Sequence, residues 1–218
     1  MVRLHLGLPR RLLVVAPHPD DEAIGAYTLI QRLRRRGVSV RVVVVTDGAA
    51  SHPESERGPR RRLVAERQRE SRGVLRRIGV AAGAVAFLGL PDGRLHTRTA
   101  AARRGLARAI GHSRPALVVL PAGHDDHPDH RTVAACVAVL RRPGLRMLAY
   151  PVWPAGQRPA GARVLSLTAQ ERLAKRHAVR RYRTQSGLIA DDPHGFAMTP
   201  AQIAAFTRPY ETFVEQRR

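Results

Sequence analysis

Short apolar runs alternate along the chain with longer stretches in which apolar residues recur every three to four positions. "RLLVVAP", residues 11–17, reads as a buried strand closed by turn residues. Residues 21–36 follow as a helix, with Ala23, Ile24, Tyr27, Ile30 and Leu33 on one face and Gly37 just past its end. "VSVRVVVVTDG", 38–48, is rich in β-branched residues and becomes continuously apolar, as a strand covered on both faces does. A polar loop over 49–59 leads into a strongly charged helix over 60–78, stopped at Gly79. The pattern then repeats: "AVAFLGLPDG" as a third strand, a helix over 97–112, "ALVVLPAGHDDHPDH" as a fourth strand and its loop, and a helix over 129–142. "RMLAYPVW" is a fifth strand, "ARVLSL" an edge strand, and 169–184 a helix. Residues 199–216 read as a C-terminal helical cap kinked near Pro209.

Strand–helix alternation of this kind predicts an α/β fold, a mostly parallel sheet with helices on both faces. No repeat or low-complexity linker divides the chain. The expectation is one domain over 1–218, with its core over about 11–186 and a cap over about 187–218. Ligands of open α/β sheets bind beyond the carboxyl ends of the strands. Four polar clusters fall there: His18 to Asp21, Thr46-Asp47-Gly48, Pro91-Asp92-Gly93 and His124 to His130.

Composition narrows the picture. With 44% hydrophobic residues in 218, the chain has enough apolar material for a full core. The formal net charge of +21 is almost all arginine, Lys175 being the single lysine. Such a charge fits anionic partners in general. The arginines are scattered over nearly every helix, however, and aromatic content is only 4%, so no nucleic-acid partner is expected. Cys136 alone permits no intramolecular disulfide and no thiolate metal cluster, which points to the cytoplasm. No run approaches a membrane span, and the short apolar patch near the N-terminus lacks the features of a signal peptide.

Three adjacent carboxylates, Asp20-Asp21-Glu22, repel one another, and a plain turn gains little from them. A cation makes them tolerable. His18 and Asp21 are three residues apart across a strand-to-helix turn, so both can face one point. The second cluster offers His124, Asp125, Asp126, His127, Asp129 and His130 to complete the coordination. Two imidazoles, one carboxylate and an open position for water form the ligand set of a hydrolytic zinc site.

"PHPDDE" and "HPDH" resemble the paired motifs of the PIG-L/LmbE-like family of zinc-dependent N-acetylglucosaminyl deacetylases. The likeness extends through "TDG", the Arg67–Glu70 pair, "LPDGRL" and "KRHAVRRYRTQS". It implies a Rossmann-like three-layer α/β/α sandwich binding one Zn2+ per chain, with another divalent metal as the variant case. It implies His18, Asp21 and His130 as metal ligands and Asp20 as general base. His127 would be the second catalytic group, protonated to stabilise an oxyanion, with Asp129 beside it to orient or charge an imidazole. Arg67 and Asp92 match positions that contact the sugar. The implied reaction removes an acetyl group from an N-acetylated amino sugar by a zinc-activated water. A lipid-linked acceptor is compatible with it.

Each residue also has a plainer explanation. Asp20 fits a helix N-cap, Glu22 a first-turn carboxylate, and Asp47 and Asp92 sit in Asp-Gly turns. Arg67 lies on an arginine-rich helix, where a solvated charge is the ordinary role. His124 competes with His127 as the acid and with His130 as the ligand. Asp125 and Asp126 read as loop or capping residues, and His52 and His194 as structural or surface ones. An amidase on a sugar–thiol conjugate, a metal phosphoesterase and a non-catalytic anion-binding module stand as alternatives.

Overall fold

The structure is a computed structural model that describes residues 2–56 and 59–216. Among these residues run eight strands and six α-helices. In chain order they are β1 (Val2–Arg3), β2 (Arg11–Ala16), α1 (Asp21–Arg35), β3 (Ser39–Thr46), α2 (Arg60–Arg77), β4 (Val85–Leu90), α3 (Thr99–Ser113) and β5 (Leu117–Pro121). There follow α4 (Pro128–Ala138), β6 (Arg146–Tyr150), β7 (Arg163–Ser166), α5 (Ala169–Val179), α6 (Pro200–Phe206) and β8 (Tyr210–Glu215). The strands form one sheet in the order β1-β7-β8-β6-β5-β2-β3-β4. All neighbours are parallel except β8, which runs antiparallel to both β6 and β7.

Alternation along the strands divides the core into two layers. Leu12, Val14 and Ala16 of β2 face one way, packing with Leu29, Ile30 and Leu33 of α1, Val74 and Leu75 of α2, and Val179 of α5. Leu13 and Val15 face the other, against Ala102, Leu106 and Ile110 of α3 and Val133 and Val137 of α4. Helices therefore cover both faces, giving the expected three layers. At the centre, β2 has β3 on one side and β5 on the other. The chain leaves β2 towards β3 and returns later to β5, so a crevice opens between their carboxyl ends, where doubly wound sheets bind ligands. Gly25 lets α1 settle over that crevice, because a Cβ there would strike the Tyr150 ring. Tyr150 in turn donates its hydroxyl to the Val15 carbonyl at 2.8 Å.

The C-terminal third departs from the sequence expectation. In place of a helical cap over 199–216, the chain forms the seven-residue α6 and then β8, which lies inside the sheet. A capping box of Thr199 and Gln202 starts the helix, and Arg208-Pro209 ends it before a new turn can form. Beyond Pro209, Phe213 is fully buried, and the buried Glu211 meets Lys175 at 3.0 Å and two N–H groups of α1. The segment over 187–216 thus supplies a strand of the sheet itself. "ARVLSL" is not the edge: β1 pairs outside β7. The helix from 169 stops at Val179, followed by a short 3-10 turn over Arg183–Gln185.

Candidate metal and active site

His18 sits in the turn after β2, Asp21 at the first position of α1, and His130 in the first turn of α4. Parallel pairing of β2 with β5 brings these turns together. His18 Nδ1 lies 3.1 Å from Asp21 Oδ2 and 3.2 Å from His130 Nε2, and the latter two atoms are 3.2 Å apart. Ligands at 2.0–2.1 Å from a tetrahedral cation stand about 3.3 Å from one another. The donor triangle fits such an ion, and its hard-and-imidazole chemistry suits zinc or a related divalent metal. The nitrogens of His127 and His18 also come within 4.8 Å of His130. The tighter triangle that includes Asp21 is the better cradle, since it brings a negative charge.

Around these donors lies a second ring of carboxylates. His18 Nε2 stands 3.0 Å from Asp92 Oδ1 and 3.4 Å from Asp129 Oδ2, close enough for attraction but misaligned for a hydrogen bond. Asp129 is held by the N–H groups of Gly93 and Leu95, and Asp92 by that of Ala50. His130 Nδ1 lies 3.3 Å from Asp125 Oδ1. Asp125 is fully buried, and its other oxygen accepts the N–H groups of Val152 and Trp153. Carboxylates behind ligating imidazoles fix their orientation and raise their basicity.

Three of these carboxylates take places that the sequence alone did not specify. The Asp129 carboxylate faces His18, and only its backbone N–H meets His127. Asp92 is an imidazole partner as well as a turn residue. Asp125, read from sequence as a loop residue, backs His130. Arg67 is 2% exposed, and its guanidinium donates to the carbonyls of Gly48 (2.7 Å) and Pro19 (2.8 Å), 3.4 Å from Asp20. Its two Nη donors therefore support the floor of the cleft that Arg67 also lines, while Nε has no hydrogen-bond partner among the described residues. Gly48 makes the approach possible: its φ is 69°, and a Cβ would come within 2.6 Å of Arg67 Nη1.

Asp20 occupies the N-cap of α1 at φ 143°, yet among the described residues its side chain caps nothing. Its carboxylate lines the cleft beside the donors. Burial pushes its pKa up to about 8, against the pull of Arg67 and with the push of Asp21. Burial also lowers His127 to about 4, helped by the neighbouring His18 and His130. His127 Nδ1 accepts the Asp129 N–H at 3.2 Å, which fixes a neutral imidazole whose Nε2 carries the proton. His130 is raised to about 9: burial opposes the proton, but Asp21 and Asp125 outweigh it. His18 is raised in the same way, Asp129, Asp21 and Asp92 overcoming the effect of burial. Asp21 is held well below the carboxylate range because the two imidazoles overcome its own burial. A cation satisfies the same arrangement by taking the place of those protons.

Above the donors opens a cleft of about 550 Å³. Asp20, Arg67, Asp92 and His127 are among its polar lining, and Ile24, Trp153, Pro154, Phe196 and Met198 give it an apolar wall. The wall is held by an edge-to-face contact of Trp153 with Phe196 and by the Phe196 N–H donated to Ser51. Sequence reasoning missed Phe196 and Met198, which belong to an irregular segment with no periodic signal. Of the two histidines that compete in the sequence, His127 lines the cleft and His124 does not.

A doubly wound sheet with a His₂Asp cradle at its switch point defines an α/β protein with a candidate metal site. The family described as PIG-L, GlcNAc-PI de-N-acetylase, matches residues 13–140, a span that contains all three donors, and the chain belongs to that family. It is 30% identical over 126 residues to the diacetylchitobiose deacetylase of Thermococcus kodakarensis; the match takes in 56% of this chain and 45% of the relative, so the chain spans about half the length of that curated relative. The N,N′-diacetylchitobiose deacetylase of Pyrococcus horikoshii, solved with an inhibitor, superposes with a TM-score of 0.71 at 21% identity, covering 95% of this chain and 84% of that one. A 4-carboxy-2-hydroxymuconate hydratase from Pseudomonas putida KT2440 shares the fold at TM-score 0.67 and 16% identity, covering 95% of each chain. Likeness of fold thus leaves the reaction to the site.

Proposed function

We propose that the chain is a metal-dependent N-deacetylase acting on an N-acetylated amino sugar or its conjugate, in a cytoplasmic setting. The observation that carries this reading is the 3.1–3.2 Å donor triangle of His18, Asp21 and His130, set beside an uncapped Asp20 at the floor of a cleft. Zinc is the ion that best fits the donor set, and when bound it supplies an acidified water and a Lewis acid for the amide carbonyl. Asp20 takes the proton of the attacking water and returns it to the departing amine. Its elevated pKa, which a neighbouring cation lowers, suits it to carry a proton both ways. His127, neutral with its proton on Nε2, donates a hydrogen bond to the oxygen that becomes negative. In this reading the imidazole acts in its neutral form, where the family resemblance implied a protonated one. Asp92, Asp125 and Asp129 hold the two ligating imidazoles, and the apolar wall of Trp153, Phe196 and Met198 takes the less polar face of the sugar or its aglycone.

A phosphoesterase reading fares worse, because Arg67, the cleft arginine, has both of its Nη ends on backbone carbonyls. The test is acetate release by metal-loaded protein from N-acetylglucosamine, N,N′-diacetylchitobiose and N-acetylglucosaminyl phosphatidylinositol, with and without chelator. Asp20→Asn should keep its metal and fold while losing about 10²–10⁴-fold in kcat. No acetate from any of these sugars would end the deacetylase reading.

A further inference from the structure

We propose that Glu22 is a positioning residue for Asp20: its buried carboxylate, clamped by Tyr182 and Ser71, holds the Asp20 backbone in the conformation that turns Asp20 into the cleft. This rests on the reading of Asp20 as the proton carrier. Only Asp20 and Arg114 among the described non-glycine residues have positive φ, and Asp20 lies far from any comfortable region at 143°. Something must hold it. Its carbonyl receives the Ala23 and Ile24 N–H groups, both at 2.9 Å, as any N-cap carbonyl does. Its own N–H, the group a relaxed backbone would swing elsewhere, is donated to Glu22 Oε2 at 3.1 Å.

Glu22 has 0% exposure and no cation against it among the described residues. Its remaining oxygen accepts the Tyr182 hydroxyl at 2.8 Å and the Ser71 hydroxyl. Those donors come from different places, Ser71 from α2 and Tyr182 from the turn after α5. Thr184 is itself tied to α2, giving its N–H (3.0 Å) and hydroxyl (2.6 Å) to Glu70, while Gln185 lines the cleft. The "RYRTQ" stretch is therefore held by three hydrogen bonds, two to Glu70 and one to Glu22, the last delivering a hydroxyl to the carboxylate that fixes Asp20. A carboxylate free to rotate would release the Asp20 N–H, and the strained φ would relax, taking the side chain out of line.

Tyr182→Phe removes one clamp and keeps the shape; Glu22→Gln keeps an acceptor for the Asp20 N–H but brings an amide NH₂ among hydroxyl donors. With N,N′-diacetylchitobiose as substrate, kcat should fall about tenfold in Tyr182→Phe and about 10²-fold in Glu22→Gln, as misplaced catalytic groups do. KM and bound metal should stay within about twofold. Tyr182→Phe placed in an Asp20→Asn background should cost nothing further, since both changes remove one function. Backbone amide exchange at Asp20, which needs no substrate, should quicken about tenfold in both single variants. Unchanged exchange at Asp20, multiplying losses in the double variant, or a loss that only tracks the folded fraction would overturn the proposal. Should Glu22→Gln fail to fold, Tyr182→Phe decides alone. Full activity in Asp20→Asn would sink the reading of Asp20; an inactive Asp20→Asn with normal kcat in the Glu22 and Tyr182 variants would sink the clamp only.

Discussion

Two buried clusters of charge attach to the same helix, α1, and they are built on opposite plans. At its start, His18, Asp20, Asp21 and His130 crowd together, and His18 Nδ1, Asp21 Oδ2 and His130 Nε2 converge at 3.1–3.2 Å from one another. In its middle, where the helix kinks at Ala26 (φ −144°), the Glu211 carboxylate of β8 takes the freed N–H groups of Thr28 (2.7 Å) and Leu29 (2.9 Å) and the Lys175 ammonium (3.0 Å). The Glu211 cluster closes on its own ammonium, and the other aims two imidazoles and a carboxylate at one point that a cation can occupy. Burying charge is costly unless it is paired, so a cluster left open marks a place where a ligand completes the pairing.

The largest effect should come from taking a donor out of the open cluster. His130→Ala should lose the bound metal and acetate release together, while a chelator that lowers the thermal midpoint of the native protein leaves the variant unmoved. Metal content and melting with and without chelator check this. A variant that still melts lower on chelation would place the metal elsewhere. In the closed cluster, Glu211→Gln should cost about 3–5 kcal/mol of stability, because Lys175 is left buried without its partner. Activity per folded molecule should hold. Urea unfolding and kcat measured on one preparation separate the two clusters; a Glu211→Gln protein with native stability would erase the contrast.

Asp125 connects the plans, since it is fully paired yet serves the open cluster. Asp125→Asn keeps an oxygen for the Val152 and Trp153 N–H groups but brings no charge to His130. Metal affinity should weaken about 10–100-fold, as it does when carboxylates behind ligating imidazoles are removed. Metal titration against a chelating indicator checks it. Unaltered affinity would leave Asp125 a purely structural staple.

Much of the open cluster was readable in the sequence, and little of the closed one. His18, Asp20, Asp21 and His130 stand where apolar runs break, so the rule that parallel strands deliver their carboxyl ends to one rim is enough to gather them. Asp125 was hidden among three similar aspartates in "HDDHPD". What buries it is a pair of N–H groups at Val152 and Trp153, residues whose place beside it only the β5–β6 pairing creates. β8 was hidden for a related reason. In "YETFVE" the inward positions hold Glu211 and Phe213, and an inward glutamate breaks the apolar alternation by which strands are recognised. Its partner Lys175 lies on another element, so the sequence shows the exception without the residue that makes it tolerable.

The smallest effect separates burial from mere pairing. Glu171, the capping-box residue of α5, takes both ends of the Arg32 guanidinium at 2.7 Å, but Arg32 is about a third exposed. The arginine hydrogen bonds, against slight burial, lower the Glu171 pKa to about 2. A carboxylate lowered on folding adds stability that is fully present above its ordinary pKa and lost as pH falls through the folded one. The contribution of Glu171 should therefore be constant above about pH 4.5 and fade towards pH 2. Glu171→Gln keeps the acceptor for the Thr168 N–H, so at pH 7 it should cost no more than about 1 kcal/mol, the usual ceiling for a solvent-screened pair. Urea midpoints of native protein and variant should converge on acidification. If the gap instead widened, or matched that of Glu211→Gln at pH 7, pairing alone rather than burial would set the strength of these clusters, and the contrast drawn along α1 would fail.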